Sequence, residues 1–462
     1  MGTVVIVPMG DPSRYKPATY VVNLCGERLK VRTRTSLLAL ASAVPEVERL
    51  VAVVLDTLYP LYCREAPDSY EMLRDAVESH IREEIVKIVE ESDPEPPRSL
   101  IDGLEVVVAP GHGRYGGMVF EGSFHDYYTY MYYELCRLVP PGAGELWLDL
   151  THGLNYMPTL TYKAAVNLAE TRMLRGSGLK LRIVNSEPYP PGFRGEPVLH
   201  MYSLMVDVEK PEGWRIVERL YSRGELKHSS LVRFKAQSPE DSRRTAMRLR
   251  EGVDVQAYVR NLKTAAKTVK YALPLAFIEM VDGDALAQAG RVEEALHRVV
   301  VGLFKEYTEI TRGDQVVVHR RMSLKPEAIL HHQAAAYASR LYEIHRNLAS
   351  GPTTLQKIIE FKNWLRAEAP ETTTILIDRE IREIMMVARR NAERLDEYRT
   401  MVELTGMKAG KPDKRTILAH AGLTYNHIEI KLRRMVGEPE PGDILVRYTS
   451  QALKEVEQAT RR

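Results

Sequence analysis

Two stretches of this 462-residue chain hold polar and titratable side chains at spacings that chemistry can use. In the first, the apolar run Leu146-Trp147-Leu148 leads into Asp149-Leu150-Thr151-His152-Gly153-Leu154-Asn155. A short apolar strand that ends in polar residues and a glycine, then enters a helix, is a strand-loop-helix unit of the parallel kind. Asp149, Thr151, His152 and Asn155 would then lie at the carboxyl end of a strand, where open α/β sheets take ligands and a following helix aims free N–H groups at anions. A phosphate group is the expected guest. The same residues can also serve as a helix cap, with Gly153 making the turn.

In the second stretch, Arg415 follows a Gly-Lys-Pro-Asp loop and His420 sits in an Ala-His-Ala-Gly-Leu run. Asp413 can cap the helix that Arg415 begins, and Ala419, Ala421 and Gly422 leave room beside the imidazole. An imidazole moves protons near neutral pH, and a guanidinium stabilises oxyanion charge. An Arg followed after four to six residues by a His means little alone, since Arg340 and His345, Arg291 and His297, Arg312 and His319, and Arg194 and His200 fit that pattern too. Five helical steps rotate by about 140°, so Arg415 and His420 do not share a face. A two-fold axis could bring two such helices into one composite cleft.

Strand and helix patterns alternate around the first stretch. Apolar runs at 3–7, 18–24, 51–55, 104–109, 146–150, 179–185 and 198–206 read as strands, and 35–43, 69–91, 124–138 and 156–173 as helices. This predicts an α/β Rossmann-like domain with a mostly parallel sheet. Gly10, Asp11 and Pro12 break the chain after the first strand, and Thr35 or Ser36 starts the first helix. The glycine-rich loop 110–117 carries Arg114, which could reach a phosphate or simply belong to a connection. Tyr127, Tyr128, Tyr130, Tyr132 and Tyr133 on one helix suit packing better than base stacking. From about 254 onward the periodic segments read as helical: 254–280, 285–311, 325–348, 354–367, 378–404, 414–421 and 425–435, with an extended run at 444–448. The division expected is 1–210, a connector or small helical module at 211–253, and an α-helical domain at 254–462.

A net charge of +2 with 27% charged residues neither points to nor excludes nucleic acid. Lys411, Lys414, Lys431 and Arg434, with Lys408 and Arg433, do cluster around Arg415 and could hold a phosphate backbone, or form a solvated face. Cys25, Cys63 and Cys136 are too few and too scattered for a disulfide framework or a zinc cage, so no metal site is expected. No apolar run approaches a membrane span and no signal peptide is evident, so the expected location is the cytoplasm, without membrane contact.

The Asp149-x-Thr151-His152-Gly153 spelling resembles the signature of the CRISPR-associated family named for its Asp-x-Thr-His-Gly motif. Members join an amino-terminal Rossmann-like sensor, the CARF domain, to a carboxyl-terminal helical ribonuclease, the HEPN domain. Gly10, Asp11, Pro12, Tyr15 and Tyr20 resemble the family's first loop, and Arg415 with His420 its ribonuclease motif, although Thr416 stands where many relatives have Asn, Asp or His. The resemblance implies that residues 1–210 bind cyclic oligoadenylate, the tetramer foremost, as an allosteric activator. Gly10, Asp11, Pro12, Tyr15, Thr35, Ser36, Arg114, Asp149, Thr151, His152, Gly153 and Asn155 are the contacts expected. It further implies a homodimer, or a higher assembly of dimers, cutting single-stranded RNA by 2′-hydroxyl attack with no cofactor or metal. The alternative is a ligand-controlled nucleic-acid-binding or transcription-regulating protein without catalysis.

Overall fold

The computed structural model describes residues 2–461 apart from 25–26, 64, 154–155, 191, 223–224, 237, 369–370, 408–412 and 435–436. Cys25, Asn155, Lys408 and Lys411 therefore lie outside the described residues. In chain order the amino-terminal elements are β1 (Thr3–Pro8), β2 (Ala18–Leu24), β3 (Glu27–Thr33), α1 (Ser36–Ala43), β4 (Val47–Leu55), α2 (Tyr70–Glu90) and α3 (Arg98–Asp102). There follow β5 (Glu105–Ala109), β6 (Gly113–Tyr115), β7 (Met118–Phe120), α4 (Phe124–Leu138), β8 (Glu145–Asp149), α5 (Tyr156–Arg175), β9 (Lys180–Ser186) and β10 (Val198–Val206).

Eight of these strands form one sheet in the order β3-β2-β10-β9-β8-β1-β4-β5. The run β9-β8-β1-β4-β5 is parallel throughout. Such strands are covered on both faces, and β1 accordingly reads Thr-Val-Val-Ile-Val-Pro and is buried along its whole length. After β1 the chain forms the β2–β3 pair at the far edge of the sheet and returns to β4 and β5 on one side of β1, while β8 and β9 lie on the other, so the order of the parallel strands reverses between β1 and β8. The tyrosines of α4 are packed, as expected: Tyr127 meets Thr161 Oγ1 at 2.7 Å and Tyr132 meets Thr171 Oγ1 at 2.7 Å.

The remaining elements are α6 (Gly213–Tyr221), β11 (Val232–Phe234), α7 (Pro239–Arg250), α8 (Val255–Lys270), α9 (Pro274–Met280), α10 (Gly283–Leu286), α11 (Ala289–His297) and α12 (Phe304–Glu306). Then come β12 (Thr308–Arg312), β13 (Val316–Arg320), β14 (Met322–Leu324), α13 (Glu327–Leu348), α14 (Leu355–Leu365), α15 (Glu371–Arg390), β15 (Arg399–Thr400) and α16 (Met401–Thr405). The chain ends with α17 (Lys414–Ala419), β16 (Ile428–Leu432), β17 (Ile444–Tyr448) and α18 (Ser450–Arg461).

Two compact units result: residues 1–211 with 227–251 and 293–332, and residues 212–226 with 252–292 and 333–462. These units cut the chain differently from the sequence boundaries at 210 and 254. The 211–253 stretch is not a separate module. Its β11 pairs with β14 in the first unit, while α6 packs against α8 in the second. The expected loop at 110–117 instead contains most of a hairpin, β6–β7, which turns at Gly116 and Gly117, both at positive φ. Strand β13 adds to β7 in parallel, giving a second sheet in the order β12-β13-β7-β6.

The second unit is mainly helical but not wholly so. The segment 425–435, expected as a helix, contains β16, which pairs with β15 and β17. Its Ile-Glu-Ile-Lys-Leu spelling buries Ile428, Ile430 and Leu432 on one face, a period of two that outweighs any helical spacing. The expected helix 285–311 likewise gives way to β12, where Thr-Glu-Ile-Thr-Arg carries β-branched residues. The expected helix 378–404 stops at Arg390, and 254–280 breaks between Lys270 and Pro274. No helix is long and apolar enough to cross a membrane among the described residues.

One buried ion pair stitches the late hairpin into the first unit. Arg320 of β13 donates to Asp56 Oδ2 at 2.6 Å, with the two side chains 1% and 0% exposed. Arg320 also donates to the Gly111 carbonyl at 3.1 Å, while Asp56 accepts from Tyr70 Oη at 3.0 Å and Gly111 N–H at 2.8 Å. Asp56→Ala leaves a buried guanidinium without its counter-charge and should destabilise this unit by about 3–5 kcal/mol. Calorimetric unfolding of the parent and variant checks this; an unchanged melting profile would mean that the pair is dispensable.

Candidate functional sites

The reversal between β1 and β8 opens a crevice at the carboxyl ends of these strands, the place where open parallel sheets hold ligands. Beyond β1, Asp11 Oδ1 accepts from Ser13 N–H at 3.0 Å and Ser13 Oγ at 2.7 Å, fixing a single helical turn that starts with Pro12. That turn brings Tyr15 back over the loop, where its hydroxyl accepts the Gly10 N–H at 2.7 Å. At the end of β8, the fully buried Asp149 accepts from Thr151 N–H at 2.9 Å and Thr151 Oγ1 at 2.5 Å. Thr151 Oγ1 in turn accepts from Ser186 N–H at 3.0 Å. Gly153, at φ +106, passes where an added Cβ would stand 3.4 Å from the Pro8 carbonyl, so the two loops nearly touch. The rings of Tyr15 and His152 close the pair by stacking at 4.5 Å.

The crevice is a cavity of about 740 Å3. Tyr15, Tyr20, Thr151, His152, Ser186 and Tyr189 line it, with Arg14, Lys16 and Arg34 supplying positive charge and Glu187 negative. Burial raises the phenols of Tyr15 and Tyr20 well above their ordinary value, so both stay protonated as donors. Burial lowers His152, against the pull of Asp149, which favours a neutral ring at neutral pH. His152 Nε2 and Asp149 Oδ2 are buried with no hydrogen-bond partner among the described residues. Stacking rings, unmet polar atoms and three cations together suit an anionic ligand that carries aromatic bases.

Of the contacts expected from sequence, Tyr15, Thr151 and His152 line the cavity, while Gly10, Asp11, Pro12, Asp149 and Gly153 shape its loops. Thr35 and Ser36 do neither: Thr35 caps α1 through Leu38 N–H at 3.3 Å, and both are fully buried. Arg34, one position earlier, lines the cavity in their place. Arg114 lies exposed on β6, paired with Val119, outside the cavity lining. Arg14, Lys16, Ser186 and Tyr189 were not singled out from sequence. Arg14 and Lys16 flank Tyr15 and were within reach of the same motif; Ser186 ends β9 and Tyr189 follows it, and only the sheet order reveals that strand's neighbour.

In the second unit, Asp413 Oδ1 accepts the Thr416 N–H at 2.8 Å and so starts α17. Arg415 is exposed in the first turn, and His420 is the carboxyl-terminal cap. Ala421 at φ +50 and Gly422 at φ +72 then reverse the chain, with Gly422 N–H bonded to the Ile417 carbonyl at 2.9 Å. His420 is 31% exposed, and its Nδ1 lies 2.9 Å from Oε1 of Glu380, a residue of α15 whose side chain is 5% exposed. Burial raises the Glu380 carboxyl, and the neighbouring imidazole counters this. Among the described residues Nε2 has no partner, so the ring is held by one nitrogen and offers the other. A carboxylate that fixes a histidine in this way sets its tautomer and its aim. Sequence reasoning missed Glu380, because nothing in the spelling of α15 marks one glutamate among several.

Two of the competing histidines are engaged in contacts away from the α17 site. His345 is buried against Phe277, and His319 pairs with Glu121 at 3.0 Å. Lys414 is exposed beside Arg415. Lys431 projects from β16 over the Tyr398 ring at 5.9 Å, and Arg434 is exposed just beyond. Among the described residues no cluster of His, Cys, Asp and Glu could hold a metal ion.

Comparison with known proteins gives two family matches. Residues 4–188 match the CARF domain of the CRISPR system endoribonuclease Csx1, and residues 370–450 match the HEPN domain of the same family. A Csx1 endoribonuclease of Methanocaldococcus jannaschii is 25% identical over 449 residues, covering 93% of this chain and 87% of the relative. Among solved structures, Enterococcus italicus Csm6 bound to cyclic hexa-2′-fluoro-hexa-dAMP covers 92% of each chain at 12% identity. Its TM-score of 0.23 is too low to bear on either site.

The Glu380–His420 contact makes a spectroscopic prediction. Nitrogen-resolved NMR of the His420 ring should show the proton on Nδ1 in the neutral parent and a shift toward the Nε2–H tautomer in Glu380→Ala. Identical tautomer populations would mean that Glu380 does not orient the ring.

Proposed function

We propose that this chain, which belongs to the Csx1 family of CRISPR-system endoribonucleases, cuts single-stranded RNA when cyclic oligoadenylate fills the sheet-end cavity. One observation carries the reading: each of the two matched domains contains the central residues of one site. The CARF match contains the β1 and β8 loops, and the HEPN match contains Glu380, Arg415 and His420.

At the cutting site, the ribose 2′-hydroxyl attacks the adjacent phosphorus. His420 Nε2 takes the hydroxyl proton and an imidazolium returns a proton to the 5′-oxygen that leaves, with Glu380 holding Nδ1. The Arg415 guanidinium stabilises the charge on the phosphorane oxygens. The products are a 2′,3′-cyclic phosphate and a 5′-hydroxyl. Every proton and charge in this step is handled by the chain's own residues, so it needs no metal or cofactor. Lys414, Lys431 and Arg434, with Lys411, supply further charge for the RNA backbone.

At the cavity, Arg14, Lys16 and Arg34 meet phosphates, and Tyr15, His152 and Tyr189 meet adenine rings. Two copies of the chain related by a two-fold axis would present this cavity twice to a cyclic tetra-adenylate, each half of the ring finding the same residues. Such a dimer also supplies a second α17 to complete the cutting cleft. Ligand binding favours the cutting arrangement by its differential affinity for it.

Cleavage of labelled single-stranded RNA with and without cyclic tetra-adenylate tests the reading. Cutting should appear with the ligand, fall by at least about 100-fold in His420→Ala or Arg415→Ala, and be absent on DNA, which lacks the attacking hydroxyl. No cutting of RNA in either condition removes the nuclease reading. Sequence-specific duplex binding that survives both substitutions would then identify a ligand-controlled regulator of transcription instead.

A further inference from the structure

Helix α8 contains no acidic residue from Val255 to Lys270. Its buried positions include Tyr258, Leu262, Ala265 and Val269, which leaves Arg260, Lys263, Lys267 and Lys270 along the outer face at spacings of three and four. Like charges at these spacings repel, and a merely solvated helix face normally intersperses carboxylates among them. Lys270 is offset by Glu218 at 2.6 Å and lies over the Trp214 ring at 5.2 Å. The Lys267 ammonium donates to the Thr460 carbonyl, yet burial, Lys263 and Lys414 still lower its affinity for a proton. Arg260 and Lys263 have no carboxylate partner among the described residues.

Two hollows flank this row. One, of about 480 Å3, is polar and includes Thr264 and Thr460, with the carboxylates of Glu225 and Glu457 also in its lining. The other, of about 190 Å3, includes Trp214 and Tyr221. Lys263 and Lys267 line both, so the cations form a ridge between a polar hollow and an aromatic one. Helix α18 packs against α8 and also against α17, the helix of Arg415. Lys414, the residue before Arg415, is close enough to act on Lys267 electrostatically.

We propose that this ridge is a track for single-stranded RNA, with phosphates held by Arg260, Lys263 and Lys267 and a base set against Trp214, leading to Arg415 and His420. The identity of the strand rests on the ribonuclease reading; the ridge itself does not. A single strand fits where a duplex does not, because its bases are free to turn toward an aromatic ring while its backbone follows a line of cations. The carboxylates in the polar hollow keep phosphates on the ridge.

The test is fluorescence anisotropy with labelled single-stranded RNA across a salt series, comparing full-length His420→Ala with the same chain carrying Arg260→Glu and Lys263→Glu. Affinity should fall by about tenfold or more, and the slope of log K against log salt should flatten by about 1.4, the share of two phosphate contacts on a single strand. Arg260→Gln with Lys263→Gln should give the same slope change, which guards against misfolding of the charge-reversed pair. Unchanged affinity and slope in both variants would overturn the track, as would tighter binding of duplex DNA than of the single strand. Failure of the parent to cut RNA would instead remove the ribonuclease reading, and the anisotropy series would still decide whether the ridge binds.

Discussion

The contact between Asp56 and Arg320 joins stretches of the first unit that lie far apart in the chain. Two charges removed from water are best tolerated when each meets the other and the remaining donors and acceptors are satisfied. Here Tyr70 and the Gly111 N–H donate to Asp56 and the Gly111 carbonyl accepts from Arg320, while Arg320 Nε is buried without a partner among the described residues. Asp56 follows β4 directly and Gly111 lies just past β5, so the network pins the ends of two neighbouring parallel strands. It also obliges a hairpin from much later in the chain to dock on β7.

Much of that crevice was legible from the amino-acid order. Apolar runs ending at Gly10 and at Asp149 located two strand ends, and alternation of strand and helix implied a parallel sheet that would bring them together. The residues that bend the loops were therefore identified more reliably than those that face the cavity. Thr35 and Ser36 illustrate the difference: their hydroxyl chemistry is real, but the start of α1 consumes Thr35, and Arg34 lines the cavity instead. Side-chain direction at a helix start depends on how the helix packs, and local spelling does not carry that information.

The carboxyl half was less legible for a related reason. Ile428 to Leu432 alternates like a strand, yet a helical surrounding made a helix the natural reading, and only pairing with β17 decides the matter. Glu380 was invisible because its importance lies in a contact across forty positions of sequence, at 2.9 Å from His420. The Arg415 and His420 pair emerged from its neighbours, Asp413 as cap and small residues after the imidazole, and those neighbours do form the helix start and the reversal that present the two side chains.

The reversal after His420 has an implication for related sequences. A Cβ at Gly422 would stand 2.6 Å from the Tyr448 hydroxyl, and the backbone there is already at φ +72. Homologues that carry a side chain at this position should have given up the bulk opposite it, so the two columns of an alignment ought to covary. The imidazole would then owe its placement to a bargain struck with a strand well outside its own motif.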